Sequence, residues 1–232
     1  PDIFENFFQD FGKTTSDFYE LEQLDPGYQI YFKDKLLKVY ADLDKLCETF
    51  EEIEKGSGEK LAKFIAKAKD NYKIAIGKVV MRPGKSPLEF VTPETAVRVG
   101  QFLRSVSDVI QKEFKDEALR AALEFPVLFL GAKPENTPSF YIFMNYADYG
   151  LGTWHPKGGM YEIVKAMVAI AESNGVQIHT SSAVSEIKVS QSGKTEGIVL
   201  EDGSFHKADF VVSGADYHHS ETLLPKKYRQ YS

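Results

Sequence analysis

The stretch from residue 150 to residue 216 decides the fold of this chain. Its most informative parts read, in chain order, Gly152-Thr153-Trp154-His155-Pro156-Lys157-Gly158-Gly159-Met160, Val184-Ser185-Glu186-Ile187-Lys188-Val189, Gly197-Ile198-Val199-Leu200-Glu201-Asp202-Gly203 and Ala208-Asp209-Phe210-Val211-Val212-Ser213-Gly214-Ala215-Asp216. The two middle parts are separated by turn residues, and Asp202-Gly203 is a strong hairpin signal, so they predict a β-meander. The apolar run from Asp209 to Ser213 is typical of a strand that is covered on both faces.

A helix is predicted between the first two of these parts. Its apolar face carries Ile163, Val164, Met167 and Ile170. Gly158-Gly159 leads into this helix, and Asn174-Gly175 ends it in the way that glycine-containing C-caps do. Val176-Gln177-Ile178 then predicts a short strand. The second part of the chain is therefore expected to run helix, strand, meander and buried strand.

The first 150 residues are predicted to be mostly helical. An aromatic hairpin comes early, with strands over Tyr28–Phe32 and Leu36–Tyr40. Asp42 is expected to cap the next helix, and later helices are expected to start near Thr92 and Asp116. The two parts together predict an α/β fold with α+β character, divided near residue 150 into segments 1–150 and 151–232.

The composition excludes several classes of protein. The chain has 232 residues, a net charge of −6 and scattered basic residues, which argues against nucleic acid as a partner. The single cysteine, Cys47, excludes an internal disulfide framework and fits a reducing compartment. No apolar run is long enough to span a bilayer and none reads as a secretory leader, so a cytoplasmic location is expected. Because the chain opens on Pro1, we expect it to be part of a longer protein.

Common catalytic motifs are missing from the sequence. It contains no Gly-x-Gly-x-x-Gly, no P-loop, no nucleophile elbow and no zinc-type spacing of Cys and His. The side chains of the adjacent pair His218-His219 would point apart on a helix or strand, so no metal site is predicted. Cys47 lies on a predicted apolar helix face and is interpreted as a packing residue. The sequence singles out no acid or base, so it leaves the catalytic residues undetermined.

Two short motifs carry a resemblance to a known family. Pro156-Lys157-Gly158-Gly159-Met160 opens the decisive stretch, and Val211-Val212-Ser213-Gly214-Ala215-Asp216 closes it, with the meander between them. This order resembles the segment of bacterial phytoene desaturases and related carotenoid oxidoreductases that re-enters their flavin domain. Leu24–Tyr28 and Phe129–Pro134 are similar to earlier family stretches. The resemblance covers nearly the whole chain, and from Gly56 to Val91 it rests on helical pattern alone.

The resemblance implies a two-part plan within the FAD-binding, amine-oxidase-like fold. Segment 1–150 would belong to the substrate domain, and segment 151–232 would be a partial FAD-binding domain. The first glycine-rich motif and the C-terminal flavin motif of the family have no counterpart here. The resemblance therefore implies FAD in the intact protein, whereas this chain alone is expected neither to hold the cofactor nor to be active.

The family likeness also implies positions that face the cofactor. The backbone of Val184 would hydrogen-bond the adenine, which explains why an apolar strand residue can serve there. Gly214, Ala215 and Asp216 would pass near the dinucleotide, since a small residue lets the backbone approach a ligand. The competing interpretation is that Val184 is strand core and that Gly214-Ala215 is a plain strand exit.

In the intact relative, the implied reaction is desaturation or saturation of a long isoprenoid, carotenoid-like hydrocarbon by hydride transfer to or from the flavin. The aromatic side chains that would line its apolar tunnel, or else pack in the core, are Phe125, Phe129, Phe140, Tyr141, Phe143 and Tyr146. Since such a substrate dissolves in the bilayer, a peripheral membrane contact is expected, with Val79–Val91 and Arg82 as the candidate surface and a solvated loop as the alternative.

Two further expectations concern partners and function. A partial flavin domain would expose the edges of its sheet, so self-association into a homo-oligomer is expected. The alternative function is a non-catalytic binding or interaction module for an apolar ligand. The two functions differ in whether a glycine-rich flavin motif is encoded upstream of Pro1.

Overall fold

The computed structural model describes residues 1–80, 82–83, 85–86 and 91–230, and it divides into two units, Pro1–Met167 and Val168–Ser232. The helices are α1 (Asp2–Gln9), α2 (Leu43–Ile53), α3 (Ser57–Ile74), α4 (Pro93–Ala96), α5 (Val99–Phe102), α6 (Val106–Glu113), α7 (Glu117–Glu124), α8 (Phe143–Asn145), α9 (Tyr161–Ser173) and α10 (Tyr217–Thr222). The strands are β1 (Leu21–Gln23), β2 (Tyr28–Tyr31), β3 (Leu36–Val39), β4 (Trp154–Pro156), β5 (Val184–Val189), β6 (Thr195–Leu200) and β7 (Phe205–Lys207). The predicted mixture of helices and sheet is confirmed. The expected division near residue 150, into a substrate-domain segment and a partial flavin domain, stays a prediction.

Hairpin β2–β3 forms where the aromatic alternation predicts it. The strands are antiparallel, Tyr28 lies opposite Val39, and the turn is closed by the Phe32 N–H, which donates to the Lys35 carbonyl at 2.9 Å. Leu37 and Val39 are both buried in the helical core of the first unit. A second ribbon in this unit pairs β1 with β4 in antiparallel fashion.

Helices α2 and α3 approach each other closely behind this hairpin. Asp42 caps α2 as predicted, because its Oδ1 accepts from the backbone N–H groups of Asp44 at 2.8 Å and Lys45 at 3.1 Å. A Cβ added at Gly58 would lie 2.7 Å from the carbonyl oxygen of Cys47, so only glycine allows this approach. Cys47 packs against the core, as its position on the helix predicts, and burial raises the pKa of its thiol.

The core of the first unit is built from α2, α3, α6 and α7. Its largest fully buried side chains include Phe50, Leu61, Ile110, Phe114, Leu119 and Leu123. The ring of Phe114 meets the rings of Phe50 at 6.1 Å and Phe64 at 6.2 Å, edge to face. Such pairs add specific geometry to the burial of apolar area, which is the main stabilising term here.

A partly buried carboxylate joins the second helix to the seventh. Glu54 Oε2 accepts from the backbone N–H groups of Lys115 at 2.7 Å and Asp116 at 2.8 Å. Burial opposes the ionisation of Glu54, but these two donors and the ammonium of Lys60 outweigh it and lower the pKa of the side chain. Asp116 in turn caps α7, which starts where predicted, and accepts from Lys35 Nζ at 2.8 Å.

The second unit is organised around the predicted meander. Strand β6 pairs with β5 on one side and β7 on the other, all antiparallel, and Gly203 at φ +84° closes the hairpin between β6 and β7. Helix α9 ends at Ser173, and Gly175 follows it with φ +81°, as the Asn-Gly pair predicts. The Ile187 N–H donates to the Leu223 carbonyl at 2.9 Å, which ties α10 to the meander.

Two predicted strands are wrong in this structure. Residues 176–178 and 209–213 have no strand pairing, and Phe210 and Val212 are 88% and 95% exposed instead of covered on both faces. A strand exists only where a neighbour completes its ladder of hydrogen bonds, and no strand of the described residues lies beside either stretch. The apolar composition of these two stretches was therefore not sufficient to make them strands.

We expect Leu119→Ala to lower the free energy of unfolding by about 3 kcal/mol, because it leaves a cavity in a fully buried site. Leu103→Ala is the matched control, since Leu103 is 82% exposed and its loss should change the value by less than about 0.5 kcal/mol. Urea denaturation of the two variants measures the difference. Equal losses would mean that the core is not where the structure places it.

Candidate functional site

An apolar cavity of about 600 Å³ lies on the first unit, beside β2. The residues that line it are Tyr28, Gln29, Ile30, Tyr31, Phe32, Ala121, Glu124, Phe125, Leu128 and Pro134. Its walls are strand β2, the end of α7 and the 3₁₀ segment Phe125–Leu130. A cavity of this size and composition suits a ligand that is largely hydrocarbon.

One of the lining residues, Tyr28, belongs to a partly buried polar pair. The Tyr28 hydroxyl donates to Asp148 Oδ2 at 2.5 Å, across 120 residues of sequence. Burial raises the pKa of Asp148, although the hydrogen bond from Tyr28 acts in the opposite direction. Burial also raises the pKa of Tyr28, and the phenol of Tyr149 and the carboxylate of Asp148 raise it further. Tyr28 is therefore neutral at physiological pH.

Tyr149 fixes the segment that carries this aspartate. Its side chain is buried, and its hydroxyl donates to the Ala122 carbonyl of α7 at 2.6 Å. Burial raises the pKa of Tyr149, and the neighbouring Asp148 adds to that effect. The segment Tyr146–Gly150, one turn of π-helix, is thereby held against the helix that forms part of the cavity wall.

A second carboxylate lies on the cavity wall itself. Glu124 Oε1 accepts from the Ser107 hydroxyl at 2.6 Å, and Ser107 Oγ in turn accepts from Gln111 Nε2 at 2.8 Å. Helices α6 and α7 are linked through this chain of hydrogen bonds. Neither Glu124 nor the Tyr28–Asp148 pair was among the residues predicted from sequence. The one available signal was an aspartate inside the aromatic run from Phe140 to Tyr149.

The six aromatic residues predicted for the tunnel fall into separate groups. Phe125 forms part of the cavity wall, with ring centroids 6.1 Å from Tyr28 and 5.6 Å from Phe129, and Phe129 is 73% exposed. Phe140, Tyr141 and Phe143 contact one another, with centroids 5.5 to 6.5 Å apart. Tyr146 packs edge-on against Tyr72 at 5.4 Å. Phe140 is buried in the core, and a single tunnel through all six residues stays a prediction.

The predicted cofactor-facing residues lie at two places in the second unit. Val184 begins β5, opposite Leu200, and is half-buried. Gly214 and Ala215 are exposed and precede Asp216, whose Oδ1 caps α10 by accepting from the His218 N–H at 2.8 Å. A Cβ added at Gly214 would meet nothing within 4 Å, so the surrounding space is open to a ligand. That openness fits a dinucleotide that approaches the backbone, and the cofactor-facing roles stay predictions.

The surface predicted to contact a membrane lies only partly within the described residues, because residues 81, 84 and 87–90 fall outside them. Val80 and Val91 are exposed, and Arg82 Nε donates to the Lys78 carbonyl at 2.9 Å. The exposed apolar side chains continue beyond this range, at Val97, Val99 and Leu103. No helix of the described residues is both long enough and apolar enough to cross a bilayer.

Comparison with known proteins defines the class. Residues 5–231 match the family of flavin-containing amine oxidoreductases, and the chain belongs to that family. A carotenoid 3,4-desaturase of Haloarcula japonica is 35% identical over the whole chain and 47% of its own length. A zeta-carotene-forming phytoene desaturase of Myxococcus xanthus is 31% identical over 97% of the chain and 44% of its own length. The chain thus spans less than half the length of these curated relatives.

A solved structure supports the fold. An oxidoreductase from Methanosarcina mazei matches 89% of this chain and 42% of its own, with a TM-score of 0.51 at 20% identity. The resemblance inferred from the Gly158-Gly159 and Ala215-Asp216 motifs is therefore confirmed at the level of family and fold.

Asp148→Asn should stabilise the chain at about pH 7 and change its stability much less at about pH 3. Because the pKa of Asp148 is raised in the folded state, stability falls as the pH rises from the unfolded toward the folded pKa. The asparagine side chain does not ionise, so the variant avoids that loss of stability, and its amide oxygen still accepts the hydrogen bond from Tyr28. Melting temperatures at the two pH values measure the effect.

The exposed aspartate Asp70 supplies the control, because its side chain lies in water and Asp70→Asn should change the melting temperature little. A gain from Asp148→Asn that is the same at both pH values would contradict the raised pKa.

Proposed function

We propose that this chain is part of an FAD-dependent oxidoreductase that desaturates or saturates a long, apolar, carotenoid-like isoprenoid. The single observation that carries the proposal is the apolar cavity beside β2, in a chain that belongs to the flavin-containing amine oxidoreductases. The names of the Haloarcula and Myxococcus relatives favour a carotenoid as the substrate.

The residues of the cavity suit such a substrate for a physical reason. A hydrocarbon offers no polar handle, so its binding depends on burial of apolar area at roughly 25 cal/mol per Å². Phe125, Leu128 and Ile30 supply that area, and they exclude water from the bound chain. FAD, when bound, would supply the hydride chemistry, and the protein would orient the double-bond system and keep the site dry.

The cofactor would rest on the backbone of the second unit. Val184 would present its backbone groups to the adenine. The backbone of Gly214, Ala215 and Asp216, which is uncrowded at Gly214, would lie beside the dinucleotide. These residues include no glycine-rich turn at a helix N-terminus to hold the pyrophosphate. We infer that the exposed row of Phe210 and Val212 packs against further segments of a longer protein, and that flavin binding needs them.

The proposal predicts a defined response to flavin and to a polyene. This chain alone should bind FAD weakly, as followed by flavin fluorescence, whereas the longer protein should bind it stoichiometrically. The longer protein should also convert phytoene in detergent micelles to a product that absorbs at longer wavelength. Flavin binding without turnover of phytoene would contradict the proposed oxidoreductase activity. Polyene binding without flavin binding would favour the alternative, a non-catalytic module for an apolar ligand.

A cavity-filling variant tests the location of the substrate. Ala121→Trp places an indole in the cavity and should weaken the binding of phytoene by about tenfold or more. Ala66→Trp is the matched control, because Ala66 is exposed on α3 and is not among the residues that line the cavity. Equal affinities of the two variants would place the substrate elsewhere.

We also propose that the first unit contacts the membrane from which such a substrate comes. Val97, Val99 and Leu103 are 80%, 60% and 82% exposed, and the basic residues Arg98 and Arg104 lie among them in the sequence. Apolar side chains flanked by cations suit the interface of an anionic bilayer. The exposed Val91 continues this patch toward the range predicted from sequence.

A double substitution, Val97→Ser with Leu103→Ser, should reduce binding to phosphatidylglycerol vesicles by about tenfold, because it removes apolar area that enters the lipid. Val176→Ser with Ile178→Ser is the matched control, since both side chains are exposed in the other unit. Flotation of the protein with vesicles measures the binding. If the patch does not contact the membrane, the two double variants will bind vesicles equally well.

A further inference from the structure

We propose that a groove between α3 and the outer face of α6 binds the phosphate group of an anionic phospholipid, while the exposed apolar side chains next to it enter the bilayer. The groove has a volume of about 410 Å³. The residues that line it are Lys67, Arg104, Asp108, Val109, Lys112 and Glu113. This inference rests on the membrane contact proposed above and deepens it, because it names the class of lipid and the side chains that would recognise it.

Three cationic side chains from separate places in the chain surround the groove. Lys67 belongs to α3, Lys112 belongs to α6, and Arg104 lies in the short link between α5 and α6. None of the three side chains forms a hydrogen bond or an ion pair with another of the described residues. Their N–H donors are therefore open to a ligand, and the oxygens of a phosphate group are acceptors that suit them.

Two acidic side chains also line the groove, but they do not cancel these cations. Asp108 is engaged at the start of its own helix, since its Oδ2 accepts from the Ser105 N–H at 3.0 Å and its N–H donates to Ser105 Oγ at 3.0 Å. The bonds with Ser105 lower the pKa of Asp108, and the guanidinium of Arg104 adds to that effect. Glu113 is the other carboxylate. Three cations against two carboxylates leave an excess of positive charge, which favours an anion.

The apolar patch of the proposed membrane contact reaches the edge of the groove. Leu103 is 82% exposed and directly precedes Arg104 in the chain, and Val99 lies one turn earlier. A phospholipid joins an anionic phosphate to apolar chains, so its two parts match the groove and the patch. A soluble phosphate would use the groove alone and leave the apolar side chains in water. The adjacency therefore favours a lipid as the ligand.

The backbone that joins the patch to the groove is fixed by its neighbours. The Ser139 N–H donates to the Arg104 carbonyl at 2.7 Å, and the Val106 N–H donates to the Thr137 carbonyl at 2.8 Å. The ring of Phe102 stacks on the buried ring of Phe140, with centroids 5.1 Å apart. Because this backbone is already ordered, binding of a lipid loses less conformational entropy.

Flotation of this chain with phosphatidylcholine vesicles that contain or lack phosphatidylglycerol tests the site. We expect a triple variant with Lys67→Gln, Arg104→Gln and Lys112→Gln to bind the anionic vesicles about 30-fold more weakly than wild type, because three cations are lost from the lipid phosphate. The charge-matched control combines Lys13→Gln, Lys55→Gln and Lys133→Gln, which are exposed lysines of the same unit outside the groove. This control should lose about threefold or less, since salt screens distant charges.

A conservative variant separates a phosphate site from diffuse attraction. Arg104→Lys keeps the charge and removes the planar guanidinium, which can present two donors to one phosphate. We expect it to weaken binding to the anionic vesicles by about fivefold, whereas attraction by charge alone would leave binding unchanged. Because Arg104 is exposed, its melting temperature should equal that of wild type.

The outcomes separate this inference from the proposed membrane contact. A wild-type chain that does not float with the anionic vesicles would overturn both. A wild-type chain that binds them, with equal losses in the two triple variants or with no loss in Arg104→Lys, would overturn the inference alone. Neither result bears on the oxidoreductase activity, which the flavin and phytoene measurements test separately.

Calorimetric titration distinguishes a lipid from other anions. We expect the soluble short-chain lipid dihexanoyl-phosphatidylglycerol to bind saturably and about tenfold more tightly than glycerol 3-phosphate, because it also buries apolar area. Leu103→Ser should reduce that difference. Equal affinities for the two compounds would assign the groove to a soluble phosphate, and tighter binding of an acidic peptide such as polyglutamate would assign it to a protein partner. Either result would overturn the inference.

Discussion

The burial of Leu37 and Val39 in the helical core is the interaction on which the candidate site depends. These two side chains hold β3, and the antiparallel register then places Tyr28 and Ile30 of β2 along the cavity. The hairpin has only two strands, which would be marginal in water without a covered face. The helices supply that cover, so the shape of the cavity follows from the packing of α2, α3, α6 and α7.

Two carboxylates in the first unit are treated differently by the same fold. Glu54 accepts hydrogen bonds from two backbone N–H groups and an ammonium, and these donors lower its pKa despite burial. Asp148 accepts a hydrogen bond from one phenol, that of Tyr28. This bond does not offset the effect of burial, so the pKa of Asp148 is raised. The first arrangement stabilises a charge and joins two helices. The second leaves a carboxyl group whose protonation can change, bonded to the hydroxyl of a residue that lines the cavity.

The second unit leaves two large apolar side chains uncovered beside its meander. The three strands of its meander pair only with one another, and Phe210 and Val212 are almost completely exposed. Large apolar side chains in that state are costly in water and are typical of surfaces that another segment covers. Relatives that are more than twice as long as the matched region supply a reason to expect such segments, in agreement with the packing proposed for this row.

The sequence by itself determined the elements whose signals are local. Asp42 and Asp116 cap helices, Gly175 ends α9 and Gly203 closes a hairpin, because each of these needs only a few neighbouring residues. The motifs around Gly158-Gly159 and Ala215-Asp216 were also enough to indicate the family. Tertiary structure alone decided that Tyr28 meets Asp148, 120 residues away, and that residues 209–213 stay unpaired. Both depend on which distant groups become neighbours, since neither a hydrogen bond between side chains nor a strand ladder is a property of one segment.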